Sequence, residues 1–171
     1  MRSLYDEDIL LWSKEQAAAL RMIAGSGAAP AADWERLAAL VEGVGRSALA
    51  RVESGLRLML VQAIAGYCDP DSPLRHLRIQ RAFSGQSDAL SDMSPGIREG
   101  LDLDRLWRQA FEQAVTEIPK RPLGVPPAIP PTCPFALDEL LAEGFTYDQA
   151  VERLYILLTS WRPKAEKDPK A

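Results

Sequence analysis

The sequence is poor in the residues that most often build catalytic and metal sites. Its 171 residues include one histidine, His76, and two cysteines, Cys68 and Cys133. A single imidazole excludes a metal site made of several histidines, and two distant cysteines form neither a disulfide framework nor a zinc-binding spacing. Both cysteines are expected to be reduced packing residues rather than activated thiolates. We therefore predict no catalytic residue, no metal site and no cofactor.

The sequence also lacks an excess of basic charge and any long apolar run. With 24 acidic and 20 basic side chains its formal net charge is −4, which gives no general affinity for nucleic acids. No apolar run reaches the roughly 18 residues of a membrane-spanning helix. Residues 1–8 are acidic, whereas a signal peptide begins with basic residues. We expect a cytoplasmic protein with no membrane partner.

Helical periodicity is strong, above all over residues 33–67. Apolar or small residues recur there every three or four positions and so lie on one face of an α-helix. They are Trp34, Leu37, Val41, Val44, Ala48, Val52, Leu56, Met59, Ala63 and Tyr67. Asp33 is placed to cap the first turn. At about 1.5 Å per residue this helix is roughly 50 Å long, enough to serve as the scaffold of a bundle.

Shorter periodic stretches predict the remaining helices, and no alternating strand pattern is present. Residues 3–21 predict a first helix with an inward stripe of Ile9, Trp12, Gln16, Leu20 and Ile23. Residues 74–90 predict a helix with only a partial apolar face. Residues 95–118 predict one strong helix, or two that meet near Leu101. Residues 134–141 predict a short helix, and a capping box at Thr146–Gln149 opens a last one with Val151, Leu154, Tyr155 and Leu158 inward.

Proline divides the chain near its end. Seven of the sixteen residues 119–134 are prolines, which predicts an extended connection. We predict an all-α fold: a single helical-bundle domain over residues 1–161, with about four main helices, this proline-rich arm and short C-terminal helices. Residues 162–171 are expected to be a disordered tail, and Trp161 beside it a partly exposed interaction residue.

Two short motifs allow a functional interpretation beside a structural one. Residues 43–48 fit the dinucleotide fingerprint G-x-G-x-x-A, but that motif needs a strand–turn–helix context, and the spacing around it is helical. A close helix crossing or a kink is the favoured interpretation. Arg75, Arg78 and Arg81 form a strip that could contact phosphates, although a solvated helix face is favoured by the acidic composition.

Four groups of residues resemble the bacterial domain-of-unknown-function family twenty-nine, in order over residues 4–145. The first contains Tyr5, Asp6 and Trp12; the second Asp33, Trp34, Glu42, Gly45 and Arg46; the third Ser94 and Pro95; the fourth Cys133, Pro134 and Phe135. The resemblance implies an all-helical bundle of bacterial cytoplasmic origin without an established function. Members often carry more acids after the Asp-Trp pair and a histidine where Gln62 stands. If these formed a metal site, Glu42 alone would remain here.

These observations favour a non-enzymatic helical interaction or scaffold protein. The alternatives are a nucleic-acid or regulatory binding protein that uses Arg75–Arg81, which is disfavoured, and a metal-dependent or carboxylate-based enzyme that uses Glu42. We also predict a homodimer, because the long helix is apolar around most of its circumference past residue 48. The residues concerned are Leu49, Val52, Leu56, Leu58, Met59, Leu60, Val61 and Ile64. A further protein partner is possible on this interpretation, but the sequence does not identify one.

Overall fold

The computed structural model describes residues 3–26, 33–117 and 129–160. These residues form eight helices and no strand, which confirms the all-α prediction. The helices are α1 (Leu4–Glu7), α2 (Ile9–Gly25), α3 (Trp34–Cys68), α4 (Arg75–Asp92), α5 (Pro95–Gly100), α6 (Leu103–Glu117), α7 (Leu137–Leu140) and α8 (Tyr147–Ser160). Most of the proline-rich arm, Trp161 and the tail at 162–171 lie outside the described residues.

The chain divides into two compact units. Unit 1 comprises Met1–Ser54 and Asp88–Leu101, and unit 2 comprises Gly55–Ser87 and Asp102–Ala171. Helices α3 and α4 each contribute residues to both units. The single domain over residues 1–161 stays a prediction.

The first predicted helix is divided in two at Asp8. Helix α1 ends at Glu7 and α2 begins at Ile9, because the backbone of Asp8 leaves the helical region, with φ −151° and ψ 87°. The Asp8 carboxylate caps α2 by accepting a hydrogen bond from the Leu11 N–H at 3.0 Å. The prediction of one continuous helix over residues 3–21 was therefore wrong.

Small residues, rather than large apolar ones, mark the buried faces of unit 1. The buried residues of α2 are Leu10, Ser13 and Ala17, not the predicted stripe that begins with Ile9 and Trp12. On α3, Ala38, Gly45 and Ala48 are buried, while Leu37 and Val44 are 41% and 44% exposed. The helices cross closely, since a Cβ at Gly45 would overlap the Ser13 hydroxyl oxygen. This explains the G-x-G-x-x-A match as part of a continuous helix.

The core of unit 2 is built from larger side chains. Trp107 and Leu106 of α6, Leu56 and Ile64 of α3, and Leu154 of α8 are all fully buried. The predicted inward face of α8 was right for Leu154 and Leu158, but Tyr155 is 64% exposed and was wrongly assigned to it. The Thr146–Gln149 capping box is present, with Gln149 Oε1 accepting from the Thr146 N–H at 2.8 Å.

The apolar residues that motivated the homodimer are covered within one chain. Six of them are buried and two are half-buried: Val52, Leu56, Met59, Leu60, Val61 and Ile64, then Leu49 and Leu58. Self-association stays a prediction, but it loses this support and would have to use another surface.

No helix in the described part of the chain combines the length and the apolarity that crossing a membrane requires.

Candidate binding pocket

Unit 2 contains a pocket of about 290 Å³ between α3, α4, α8 and the segment around α7. Seven aliphatic side chains line it: Met59, Leu60, Ala63, Ile79, Ala82, Leu140 and Ala150. Four aromatic side chains complete the apolar wall: Phe83, Phe135, Phe145 and Tyr147. Its polar members are Gln86, Glu143 and Thr146. A concave apolar wall with a few polar groups is the usual form of a small-molecule site, and this volume is near the lower end of the range.

The close crossing of α3 and α4 positions one wall of the pocket. Gly85 of α4 lies so near α3 that a Cβ there would be 2.5 Å from the carbonyl oxygen of Gly55. Ala82, about one turn before Gly85, and Gln86, directly after it, are 8% and 7% exposed and line the same pocket. Glycine at position 85 is therefore what allows α4 to bring these side chains against α3.

Gln86 connects this wall to the segment around α7. Its amide nitrogen donates to the carbonyl oxygens of Leu140, at 2.8 Å, and Ala142, at 3.0 Å. Both amide hydrogens are thereby used, and the orientation of the amide is fixed. The segment that carries Glu143 and Phe145 is thus attached to α4 by one buried side chain.

The aromatic wall is held by ring contacts and by a hydrogen bond. Phe135 lies edge-on to Trp107, with ring centroids 6.5 Å apart, and to Phe145 at 5.8 Å. The Trp107 indole N–H donates to the Pro130 carbonyl oxygen at 2.8 Å, which ties α6 to the described end of the proline-rich arm. Edge-on arrangements of this kind are favourable for aromatic pairs.

Phe135 is the only one of the predicted signature residues that lines this pocket. Beside it, Pro134 is half-buried, and the Cys133 N–H donates to Asp104 Oδ1 at 2.7 Å, so both help to anchor the turn before Phe135. In unit 1, Tyr5 and Trp12 form an edge-on pair at 4.9 Å. Asp6 accepts two hydrogen bonds from Ser3. The structural role expected for these positions stays a prediction.

The signature residues at the start and in the first half of α3 also contact neighbouring residues. Asp33 Oδ1 accepts from the Arg36 N–H at 3.0 Å and caps the helix, as predicted, and Trp34 beside it is half-buried. Arg21 of α2 donates to both carboxylate oxygens of Glu42, at 2.9 and 3.0 Å. Arg46 contacts the same carboxylate at 3.4 Å. Hydrogen bonding to Arg21 lowers the pKa of Glu42 below its ordinary value.

The carboxylate and thiol side chains do not form a metal centre or an activated nucleophile in the described ranges. No three Asp, Glu, His or Cys side chains there are grouped as metal ligands would be. Glu42, the acid of the enzyme alternative, is instead held by two arginines. Burial raises the pKa of Cys68 and of Cys133 to about 11, so both thiols stay protonated at neutral pH.

The arginine strip considered at Arg75, Arg78 and Arg81 does not form, and the favoured solvated helix face is wrong at Arg78. Arg78 is only 8% exposed and donates to the carbonyl oxygens of Ala65 and Asp69, at 2.9 Å each. Arg75 pairs with Asp148 of α8 at 2.5 Å. A phosphate-contacting strip needs guanidinium groups on a common surface, and Arg78 faces inward.

The sequence analysis missed most of the pocket residues. Phe145, Gln86 and Glu143 belong to no motif, and Phe83 lies in the helix with a partial apolar face predicted for residues 74–90. The partial apolar face of this helix was the available signal of a pocket. Phe83 on it is 70% exposed, whereas the neighbouring Ala82 and Gln86 are buried. The long-range partners of Asp8 could not be predicted, because Ser94 and Gly96 are 86 and 88 residues away in the sequence.

The described residues thus define an all-α protein with an apolar pocket in unit 2. The chain belongs to the family "Domain of unknown function DUF29", whose model matches residues 4–146. It is also similar to a crystal structure of an alpha-helical protein of unknown function from Rhodospirillum rubrum, with 26% identity and a TM-score of 0.76. That similarity covers 90% of this chain and 99% of the other. No curated protein matches the chain.

Proposed function

We propose that the protein is a non-enzymatic binding protein and that the pocket of unit 2 is its binding site. The observation that carries the proposal is the pocket itself, where eleven apolar or aromatic side chains surround about 290 Å³. Burial of apolar ligand surface against such a wall supplies most of the affinity of a small-molecule site. Neither Cys68 nor Cys133 lines the pocket, and burial raises the pKa of both thiols to about 11, so neither supplies it with a thiolate nucleophile.

Phe83 offers the clearest test, because it lines the pocket and is 70% exposed. Replacing it by alanine removes part of the binding wall without emptying the core. Wild-type protein is expected to bind the neutral dye N-phenyl-naphthylamine saturably, with enhanced fluorescence. Phe83→Ala is expected to weaken that binding about fivefold, which corresponds to about 1 kcal/mol of lost apolar contact.

Leu40→Ala is the matched control for this experiment. Leu40 is an exposed apolar residue of α3, at 62%, and it does not line the pocket. Its truncation is expected to leave dye binding unchanged. Absence of saturable binding by the wild type, or equal binding by Phe83→Ala and wild type, would contradict the proposed site.

We also propose a cytoplasmic location. Its support is the state of the cysteines: Cys68 is buried and Cys133 half-buried, and both are free thiols.

A further inference from the structure

We infer that the pocket of unit 2 selects small amphiphilic amines: ligands with an apolar or aromatic body and one cationic head. The inference rests on the proposed function and adds the charge of the ligand. It follows from the few polar groups of the pocket, because the groups that remain for a ligand are mainly hydrogen-bond acceptors.

Among the described residues that line the pocket, Glu143 is the only charged one. It is exposed, and no described residue forms an ion pair or a hydrogen bond with its carboxylate. A ligand that fills the apolar part of the pocket would therefore place its polar end near an uncompensated negative charge. That arrangement attracts a cation and repels an anion.

The orientation of Gln86 supplies a second, independent observation. Both hydrogens of its amide nitrogen are given to the carbonyl oxygens of Leu140 and Ala142, so only Oε1 remains for a ligand. No buried polar side-chain atom in the described part of the chain lacks a partner. Oε1 receives no hydrogen bond from a described group and Gln86 lines the pocket, so this oxygen is the acceptor that Gln86 can offer a ligand there. This fixed oxygen accepts from a donor such as an ammonium group.

The remaining polar and aromatic groups of the pocket either attract a cationic head or favour neither charge. Thr146 Oγ1 accepts from the Gln149 N–H at 3.3 Å, and a hydroxyl can serve ligands of either kind. The aromatic faces of the wall attract cations. Two opposing charges lie beside the pocket wall: Arg153, 5.7 Å from the Phe135 ring centroid, and Arg78, which is hydrogen-bonded to Tyr147. Arg153 is ion-paired with Glu139 and Arg78 donates to two backbone carbonyl oxygens, and neither is among the described residues that line the pocket.

Three probes that share one skeleton test the inference: phenylpropylamine, phenylpropanol and phenylpropanoate. Each displaces bound N-phenyl-naphthylamine from the full-length protein at neutral pH and low salt. We expect the amine to bind most tightly and the carboxylate most weakly. The preference for the amine over the alcohol should be about fivefold, as for a solvent-accessible ion pair, and should shrink in high salt.

Glu143→Gln is expected to abolish the preference for the amine and to leave the affinity for the alcohol unchanged. Glu152→Gln is the matched control, because it removes the same charge from an exposed position of α8 outside this pocket and should retain the preference. Equal binding of the amine and the alcohol by the wild type, or a preference that survives Glu143→Gln, would overturn the inference while the proposed function stands. Failure of the dye itself to bind would overturn both.

Discussion

Replacing Gly85 by valine is expected to lower the free energy of unfolding by about 3 kcal/mol, since a large side chain forced into a packed helix crossing strains both helices. A Cβ at this position would lie 2.5 Å from the backbone carbonyl oxygen of Gly55 and 3.3 Å from Leu58 Cβ and Met59 Cγ. A backbone atom cannot rotate away, so α3 and α4 would have to move apart. Urea denaturation followed by circular dichroism measures the loss.

Gly43 provides the control for the Gly85 experiment. It lies in the same long helix as Gly55, but a Cβ there would meet nothing closer than Arg46 Nη2 at 3.7 Å. Gly43→Ala is therefore expected to raise stability by up to about 1 kcal/mol through helix propensity alone. If Gly85→Val and Gly43→Ala unfold at the same urea concentration, the close crossing does not constrain position 85.

Asp8→Ala is expected to lower the free energy of unfolding by about 2–3 kcal/mol, because it leaves several buried donors without their acceptor. The carboxylate accepts from the Leu11 N–H at 3.0 Å, the Ser94 hydroxyl at 2.9 Å and the Gly96 N–H at 2.6 Å. One side chain, 5% exposed, thereby joins the start of α2 to the start of α5. Thermal unfolding of the variant and the wild type measures the cost.

Asp6→Ala is the comparison for Asp8→Ala, since Asp6 is an exposed acid of α1 that accepts hydrogen bonds from Ser3, three residues away, whereas Asp8 accepts from Ser94 and Gly96, 86 and 88 residues away. It should lose clearly less stability. An equal loss in the two variants would show that the contacts of Asp8 with Ser94 and Gly96 add nothing to helix capping.

The contribution of Asp8 should also depend on pH. Burial opposes ionisation, but the hydrogen bonds from Leu11, Gly96 and Ser94 together outweigh it, so the pKa of Asp8 lies below its ordinary value. A lowered pKa stabilises the folded state fully above the unfolded-state pKa, which is about 3.9, and this stabilisation is lost as the pH falls through the folded-state value. The stability difference between wild type and Asp8→Asn should therefore narrow between pH 7 and pH 3; a constant difference would contradict this assignment.

Local features of the chain could be predicted from the sequence because their causes lie within a few residues. The long helix ends at Cys68, just before two prolines, and the last helix begins after the Thr146 cap, both as predicted. The buried faces of α2 and α3 were harder to predict. Close crossings there select Ser13, Ala17 and Gly45, whereas apolar periodicity gives most weight to residues such as Leu37 and Val44.

The pocket could not be predicted, because it joins residues from Met59 to Ala150. Its polar character depends on which hydrogen bonds Gln86 has already made, and those partners lie 54 and 56 residues away. No local pattern contains this information. Phe135 was predicted through the family resemblance, and Met59, Leu60, Ala63 and Thr146 only as helix-face or capping residues, so none was predicted from a property of the pocket.

The end of α3 depends on a residue outside that helix. Arg78 of α4 donates to the carbonyl oxygens of Ala65 and Asp69 from 13 and 9 residues downstream, and its guanidinium also lies 3.5 Å from the Asp69 carboxylate. Orphan carbonyls at a helix terminus need such partners. A fragment that stops before residue 78 retains the whole sequence of α3 but not this donor, so its final turn should fray.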